Sequence, residues 1–182
     1  DEAMVRLDDR PQTRYDMTFT LSDLGLVQAR RGKWDDANAM FSRALEIRRA
    51  AFDADPKDTR AMVGVATLLG RLGMTAARQD NWAAAAAHYR AELAIREQAI
   101  VAQGPLPGRI AERAWARLYL AKALLNQADG SRPSSSHAEW VEEAGRLVGA
   151  CRRDDVKATV VAGGPADYLE LLDSLTKRLN TR

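Results

Sequence analysis

The feature that most constrains this fold is a segment that recurs 48 residues further along the chain. When residues 18–51 are aligned with residues 66–99, 12 of the 34 positions are identical: Leu21/Leu69, Leu24/Leu72, Gly25/Gly73, Ala29/Ala77, Arg30/Arg78, Trp34/Trp82, Ala37/Ala85, Ala39/Ala87, Leu45/Leu93, Ile47/Ile95, Arg48/Arg96 and Ala51/Ala99. Alanine is common here, but the paired glycines, tryptophans and isoleucines do not follow from alanine richness. Such an internal repeat is typical of arrays in which each unit buries its apolar face against the next.

Each unit is predicted to contain two helices, because its apolar residues recur three and four positions apart. In unit one these helices run from about Thr13 to Arg31 and from Trp34 to about Ala54, with a turn at Gly32-Lys33. Asp55-Pro56 ends the second helix, since a residue before proline disfavours the helical region. Unit two repeats this plan, with helices at about 58–79 and 82–102, a turn at Asp80-Asn81 and a Gly/Pro-rich stop at 104–108.

The pattern continues more weakly towards the C-terminus. A degenerate repeat 3 is expected at 109–153, with helices at 109–128 and 138–153 around a polar, serine-rich loop at 129–136. A capping helix is expected at 165–180, because proline is favoured at a first helical position and is followed here by Leu169, Leu172, Leu175 and Leu179. Residues 1–9 are interpreted as the tail of a preceding helix or as a short N-terminal cap. We therefore expect a single domain over 1–182, with repeat 1 at 13–54 and repeat 2 at 58–102.

Composition argues against several classes of partner. The 27 basic and 25 acidic residues are interleaved and leave a formal charge of only +2, so nucleic acid is not expected. No apolar run approaches the roughly 20 residues that a membrane helix needs. The single cysteine, Cys151, cannot form an internal disulfide and is compatible with a reducing compartment, so a cytoplasmic location is expected.

The sequence predicts no catalytic, cofactor-binding or metal-binding residue. His88, His137 and Cys151 lack the spacing of metal ligands, and Cys151 is interpreted as a buried structural thiol rather than a nucleophile. Acidic pairs such as Asp35-Asp36 and Glu142-Glu143 are interpreted as solvated helix ends. Two alternatives stay open: the serine loop is a linker or a phosphorylation site, and Trp34 and Trp82 pack at the turns or form a stacking platform for a ligand.

The repeated positions resemble the small and large pattern of the tetratricopeptide family. The matching series is Leu21, Leu24, Gly25, Ala37, Phe41 and Ala44 in unit one, and Leu69, Leu72, Gly73, Ala85, Tyr89 and Glu92 in unit two. The period of 48 exceeds the family's usual 34, which is similar to long-helix variants in kinesin light chains and bacterial regulatory proteins. The resemblance implies an all-α fold: antiparallel helix pairs stacked as a right-handed solenoid, with about three repeats plus a C-terminal capping helix.

The resemblance also implies a concave groove lined mainly by the first helices. The positions that match the family's groove are Phe19, Ser22, Asp23, Leu26 and Arg30 in unit one, Thr67, Gly70, Arg71, Met74 and Arg78 in unit two, and Trp115, Leu118, Tyr119, Lys122 and Asn126 in unit three. Its basic bias favours an acidic or carboxylate-bearing ligand. The family's two-carboxylate clamp is disfavoured, because Ser22 and Leu26 stand where lysine and asparagine are needed.

The leading hypothesis is therefore a non-catalytic interaction module that binds a protein or peptide segment in this groove. One alternative is the regulatory or docking domain of a larger signalling enzyme, such as a bacterial Ser/Thr kinase. Another alternative is a self-association module that forms a homodimer.

Overall fold

The computed structural model describes residues 11–155 and 166–181, and this part of the chain contains seven α-helices and no strand. The helices are α1 Pro11–Arg30, α2 Trp34–Ala54, α3 Thr59–Arg78, α4 Trp82–Gln103, α5 Pro107–Asp129, α6 Ser135–Ala150 and α7 Ala166–Asn180, and a π-helical turn, Cys151–Asp155, follows α6. The expected all-α fold is confirmed. Within these ranges no helix is both long and apolar enough to cross a lipid bilayer.

The turns inside the first two helix pairs have the same backbone geometry. Gly32 has a φ of 73° and its repeat-related residue Asp80 has a φ of 55°, both in the left-handed region that glycine and, less often, aspartate adopt. After each of them the chain donates the same hydrogen bond, from Lys33 N to Gln28 O and from Asn81 N to Ala76 O, each at 2.9 Å. The repeat therefore extends to the backbone of the turn.

The helices pack in chain order, each against the next, and α7 packs on α5 and α6. This consecutive packing of antiparallel neighbours is that of a tetratricopeptide-like helical solenoid, as expected. One apolar cluster joins α1, α2 and α3, and a second joins α3, α4, α5, α6 and α7. Because each pair shares its core with the next, no pair buries its apolar face alone.

The small residues of the repeat allow close contact within each pair. A Cβ placed on Gly73 would fall 2.6 Å from Cε1 of Tyr89, and the ring of Phe41 lies over Gly25 in the same way. Phe41 and Tyr89 also reach the following pair: Phe41 shares a cluster with Leu69, and the Tyr89 ring stacks on Tyr119 at 5.6 Å. Each ring therefore wedges between neighbouring helix pairs.

Two apolar positions differ from their expected burial. Leu24 is 48% exposed although the identical Leu72 is 4% exposed. The reason is position in the stack, since no described helix pair precedes α1, whereas α3 follows the first pair. In α7, Leu169 is 44% exposed, and the buried face of this helix is formed by Tyr168, Leu172 and Leu175.

The third unit departs from the predicted boundaries at its ends. Helix α5 begins at Pro107, which occupies a first helical position, two residues before the expected start. The loop is shorter than expected, because α6 begins at Ser135, and Ser134 caps it by accepting a hydrogen bond from His137 N at 3.2 Å. The predictions for residues 1–9 and for a helix start at Pro165 fall outside the described residues.

Candidate protein-binding groove

Two neighbouring cavities lie along the first helices of the stack. The central cavity, of about 590 Å³, lies between α3 and α5 and is also lined by α4. The N-terminal cavity, of about 500 Å³, lies between α1 and α3 and is also lined by Arg48 of α2, by Gln103 at the end of α4 and by Arg109 near the start of α5. Thr67 and Arg71 line both cavities, so the two are adjoining parts of one groove.

The structure brings most of the predicted groove residues to these cavities. Eight line the central cavity: Thr67, Gly70, Arg71, Met74, Arg78, Trp115, Tyr119 and Lys122. Phe19 and Ser22 line the N-terminal cavity. Trp82, for which packing and ligand stacking were both considered, packs against the second apolar cluster and also lines the central cavity.

Five predicted groove residues line neither cavity. Asp23 and Arg30 are exposed, Asn126 is half-buried, and Leu26 is half-buried against the first apolar cluster. The prediction is wrong for Leu118, whose side chain is fully buried in the core. Leu118 directly precedes Tyr119 and is therefore rotated by about 100° around the axis of α5, which turns its side chain towards the neighbouring helices instead of the groove.

An aromatic ladder forms one wall of the central cavity. The Tyr119 ring stacks between Tyr89, at 5.6 Å, and Trp115, at 5.4 Å, and the Trp115 ring meets Tyr168 of the capping helix edge-on at 5.3 Å. Burial raises the pKa of the Tyr89 and Tyr119 phenols, so both rings stay neutral. The ladder therefore offers flat apolar surface that is held rigidly by α7.

The charged residues that line the central cavity fall into a paired and an unpaired group. Arg96 donates to Glu92 at 2.7 Å and to Glu112 at 2.6 Å. Burial raises the pKa of Glu92, and the Arg96 guanidinium partly lowers it again. In contrast, three cations of the central cavity form no ion pair with any described residue: Arg71, Arg78 and Lys122.

The N-terminal cavity is built around Arg48, a residue that the sequence analysis did not place in the groove. Its Nε donates to Thr18 Oγ1 at 2.7 Å, and its Cζ lies 3.6 Å from the ring centroid of Tyr15. Arg48 was missed because it belongs to a second helix, whereas the family resemblance points to first helices. The identity of Arg48 and Arg96 in the repeat was the signal that could have revealed it.

The described residues include aromatic and charged side chains that can make binding contacts in the groove. Among them, no cluster of three or more His, Cys, Asp or Glu side chains is arranged to hold a metal ion. Cys151 is fully buried away from the groove, with its Sγ 3.7 Å from Ala114 O, as a structural thiol would be. What the groove can do is hold a ligand through aromatic stacking and through its unpaired cations.

Comparison with known protein families identifies two segments of the chain. Residues 20–57 and residues 65–105 each match the family model described as tetratricopeptide repeat. The two matches correspond to the first and second helix pairs. No curated protein and no solved structure gave a match.

Proposed function

From the match of residues 20–57 and 65–105 to tetratricopeptide repeats, we propose that the chain is a single interaction domain. Tetratricopeptide repeats are non-catalytic modules that generally mediate protein–protein interaction. The ligand of this domain is an extended segment of a partner protein that lies along the groove. The segment is acidic, because the cations of the central cavity that lack ion pairs are complementary to carboxylates.

The observation that carries this proposal is that one cavity is lined both by the aromatic ladder and by three cations without an ion pair among the described residues. Aromatic rings supply contact area at low entropic cost, and arginine and aromatic residues are enriched where binding energy concentrates. A cation that already has a carboxylate partner, such as Arg96, gains less from an acidic ligand. Arg71, Arg78 and Lys122 have no such partner among the described residues.

A charge variant tests the proposal without disturbing the packing. Replacement of Arg71, Arg78 and Lys122 by glutamine removes the charges and keeps polar side chains, whereas removal of Tyr119 would also break the aromatic ladder. We expect proteins captured from native lysate by the wild-type domain to be lost with this variant. The matched control replaces three exposed cations away from both cavities, Arg31, Arg43 and Arg132, by glutamine. Equal capture by the two variants would show that the groove is not the binding site.

A second candidate function, self-association through α1, is favoured by one observation. Leu24 is 48% and Val27 is 41% exposed, whereas the repeat-related Leu72 and Thr75 are buried. The same face of a first helix is therefore covered in the second pair and open in the first. If two copies pair through this face, Leu24→Glu converts the dimer to a monomer. Light scattering across a concentration series measures this, and a wild-type monomer at every concentration excludes self-association.

A further inference from the structure

The two repeat-related arginines, Arg48 and Arg96, have opposite electrostatic surroundings. Arg96 is held between the carboxylates of Glu92 and Glu112. The residues 48 positions before these two glutamates are Ala44 and Gly64. At the first of the two sites, therefore, the arginine is kept while both carboxylates are replaced by residues that carry no charge.

Neutral groups hold Arg48 in place of those carboxylates. The side chain is only 5% exposed and crosses Gly64, where an added Cβ would fall 3.0 Å from Arg48 Cδ. Its Nε donates a hydrogen bond to Thr18. Its Cζ lies over the rings of Tyr15 and Phe19, at 3.6 Å and 4.7 Å from their centroids. Burial lowers the pKa of Arg48, as expected for a guanidinium desolvated without a carboxylate in contact.

Further cations face the same cavity. The Arg60 guanidinium lies 5.3 Å from the centroid of the Tyr15 ring that Arg48 also contacts, and Arg71 lines the cavity from α3. Arg109 is also present, but it donates to the C-terminal carbonyls of α4, Gln103 O at 2.9 Å and Gly104 O at 3.2 Å. Four arginines thus line a space in which none of the described lining residues is Asp or Glu.

The nearest acidic side chains lie outside this lining and have other roles. Asp58 caps α3, since its Oδ1 accepts hydrogen bonds from Arg60 N at 2.8 Å and Ala61 N at 3.1 Å. Burial and the charge of Arg60 lower the pKa of Arg48 by more than the charge of Asp58 raises it. Asp23 raises the pKa of Arg71 against the larger effect of burial but forms no salt bridge with it. The excess of positive charge in the cavity therefore remains.

We propose that the N-terminal cavity is a subsite for a dianionic group on the bound protein segment, either a phosphorylated side chain or two adjacent carboxylates, held by Arg48, Arg60 and Arg71. The ligand supplies the two negative charges that Glu92 and Glu112 supply to Arg96. Guanidinium groups suit this role, because their planar forks donate two parallel hydrogen bonds to an oxyanion and clusters of them recognise phosphorylated and acidic motifs. This inference rests on the proposed function, since the dianion belongs to the segment bound in the groove.

The test uses small anions as probes of the isolated chain at constant ionic strength. Inorganic phosphate and glutarate are titrated while the backbone amide signals of Gly64 and Thr67 are followed by NMR, with acetate and chloride as singly charged controls. We expect saturable shifts and a raised Tm with at least one dianion, because a ligand that binds only the folded state stabilises it. If phosphate binds more tightly than glutarate, the group that occupies the cavity is a phosphorylated side chain. If glutarate binds more tightly, the group is a pair of adjacent carboxylates.

Variants locate the effect. Arg60 is exposed, so Arg60→Gln is expected to retain the fold. It should lower the affinity for the dianion by about tenfold, as loss of one charge-assisted hydrogen bond does. Arg48→Gln is expected to weaken it further, and Arg43→Gln, an exposed change outside the cavity, leaves it unchanged. Absence of saturable shifts in the wild type, or binding unaltered in Arg60→Gln, overturns the subsite.

Failure of the subsite and failure of the proposed function give different results. If small dianions do not bind but partner capture still depends on Arg78 and Lys122, only the subsite is wrong, because those two residues line the central cavity alone. If dianions bind but capture is insensitive to the groove charges, the cavity is an anion site and the groove does not hold the partner.

Discussion

The ring of Tyr89 lies against the backbone of Gly73, so that a Cβ at position 73 would fall 2.6 Å from Cε1 and 2.7 Å from Cδ1. Tyr89 is buried in the core, and its ring also stacks on the ring of Tyr119. The Tyr89 ring therefore has little room to shift if a Cβ is added at position 73. One glycine thus controls both the spacing of the second helix pair and the position of the aromatic ladder in the groove.

Gly73→Ala is expected to destabilise the fold by about 1–3 kcal/mol, because overpacking outweighs the gain in helix propensity. The matched control is Gly145→Ala in α6, where an added Cβ meets nothing within 4 Å. That change is expected to stabilise by about 0.5–1 kcal/mol through helix propensity alone. Urea unfolding midpoints compare the two, and similar shifts for both variants would contradict the packing argument.

The N-cap residue of α2, Lys33, can be replaced by asparagine, the N-cap residue of α4, to add a capping hydrogen bond. Lys33 and Asn81 have nearly the same backbone, with φ/ψ of −86°/73° and −81°/71°, but only Asn81 caps its helix, by accepting from Ala84 N. Lys33→Asn is expected to stabilise by about 0.5–1 kcal/mol, and Asn81→Lys to destabilise by a similar amount. The 3.9 Å ion pair from Lys33 to Asp36 is exposed and contributes little. Thermal melting of both variants checks the prediction, which fails if the two shifts have the same sign.

Glu92 is expected to make stability depend on pH. Burial raises the pKa of its carboxyl, so the folded protein binds this proton more tightly than the unfolded chain does. The resulting stabilisation is complete below the unfolded pKa of about 4.3 and is lost as the pH rises through the folded pKa. Relative to Glu92→Gln, the wild type should therefore gain unfolding free energy as the pH falls. Denaturant titrations at several pH values measure this difference, and a difference that shrinks on acidification would contradict it.

Cys151 is expected to resist modification in the folded protein, since its side chain is fully buried. A thiol-specific reagent should label it at least about a hundredfold more slowly than an exposed thiol, because labelling requires opening of the structure. The comparison is Ser136→Cys in a Cys151→Ala background, which places one thiol at an exposed position of α6. Equal labelling rates for the two proteins would show that Cys151 is accessible.

The helices of the first two units were predictable because their signals are local. Apolar spacing, the turn residues and Asp55-Pro56 act within a few residues of one another, so α2 begins and ends where the sequence indicates. The exposure of Leu24 could not be predicted from such local signals, because it depends on whether another helix covers α1. Identical residues at repeat-related positions therefore differ in exposure, which no local pattern records.

The candidate site was predictable only in part, and Arg48 and Leu118 show why. Position on a first helix was the criterion for a groove residue, and it wrongly included Leu118 while it excluded Arg48 of a second helix. Which side chains reach a cavity depends on the rotation of each helix about its axis and on the length of the side chain. Both are settled by packing between helices.

The sequence by itself determined the repeat, its helix pairs and the glycine positions at which large rings make contact, because these follow from spacing along one chain. The tertiary structure decided which charges are compensated. Arg48 and Arg96 occupy equivalent positions of the repeat, yet Arg96 lies between two carboxylates and Arg48 lies over an aromatic ring. The physical reason is that the surroundings of a charge depend on side chains far apart in the chain, such as Arg48 and Thr18, which are 30 residues apart, and only packing of the helices sets those distances.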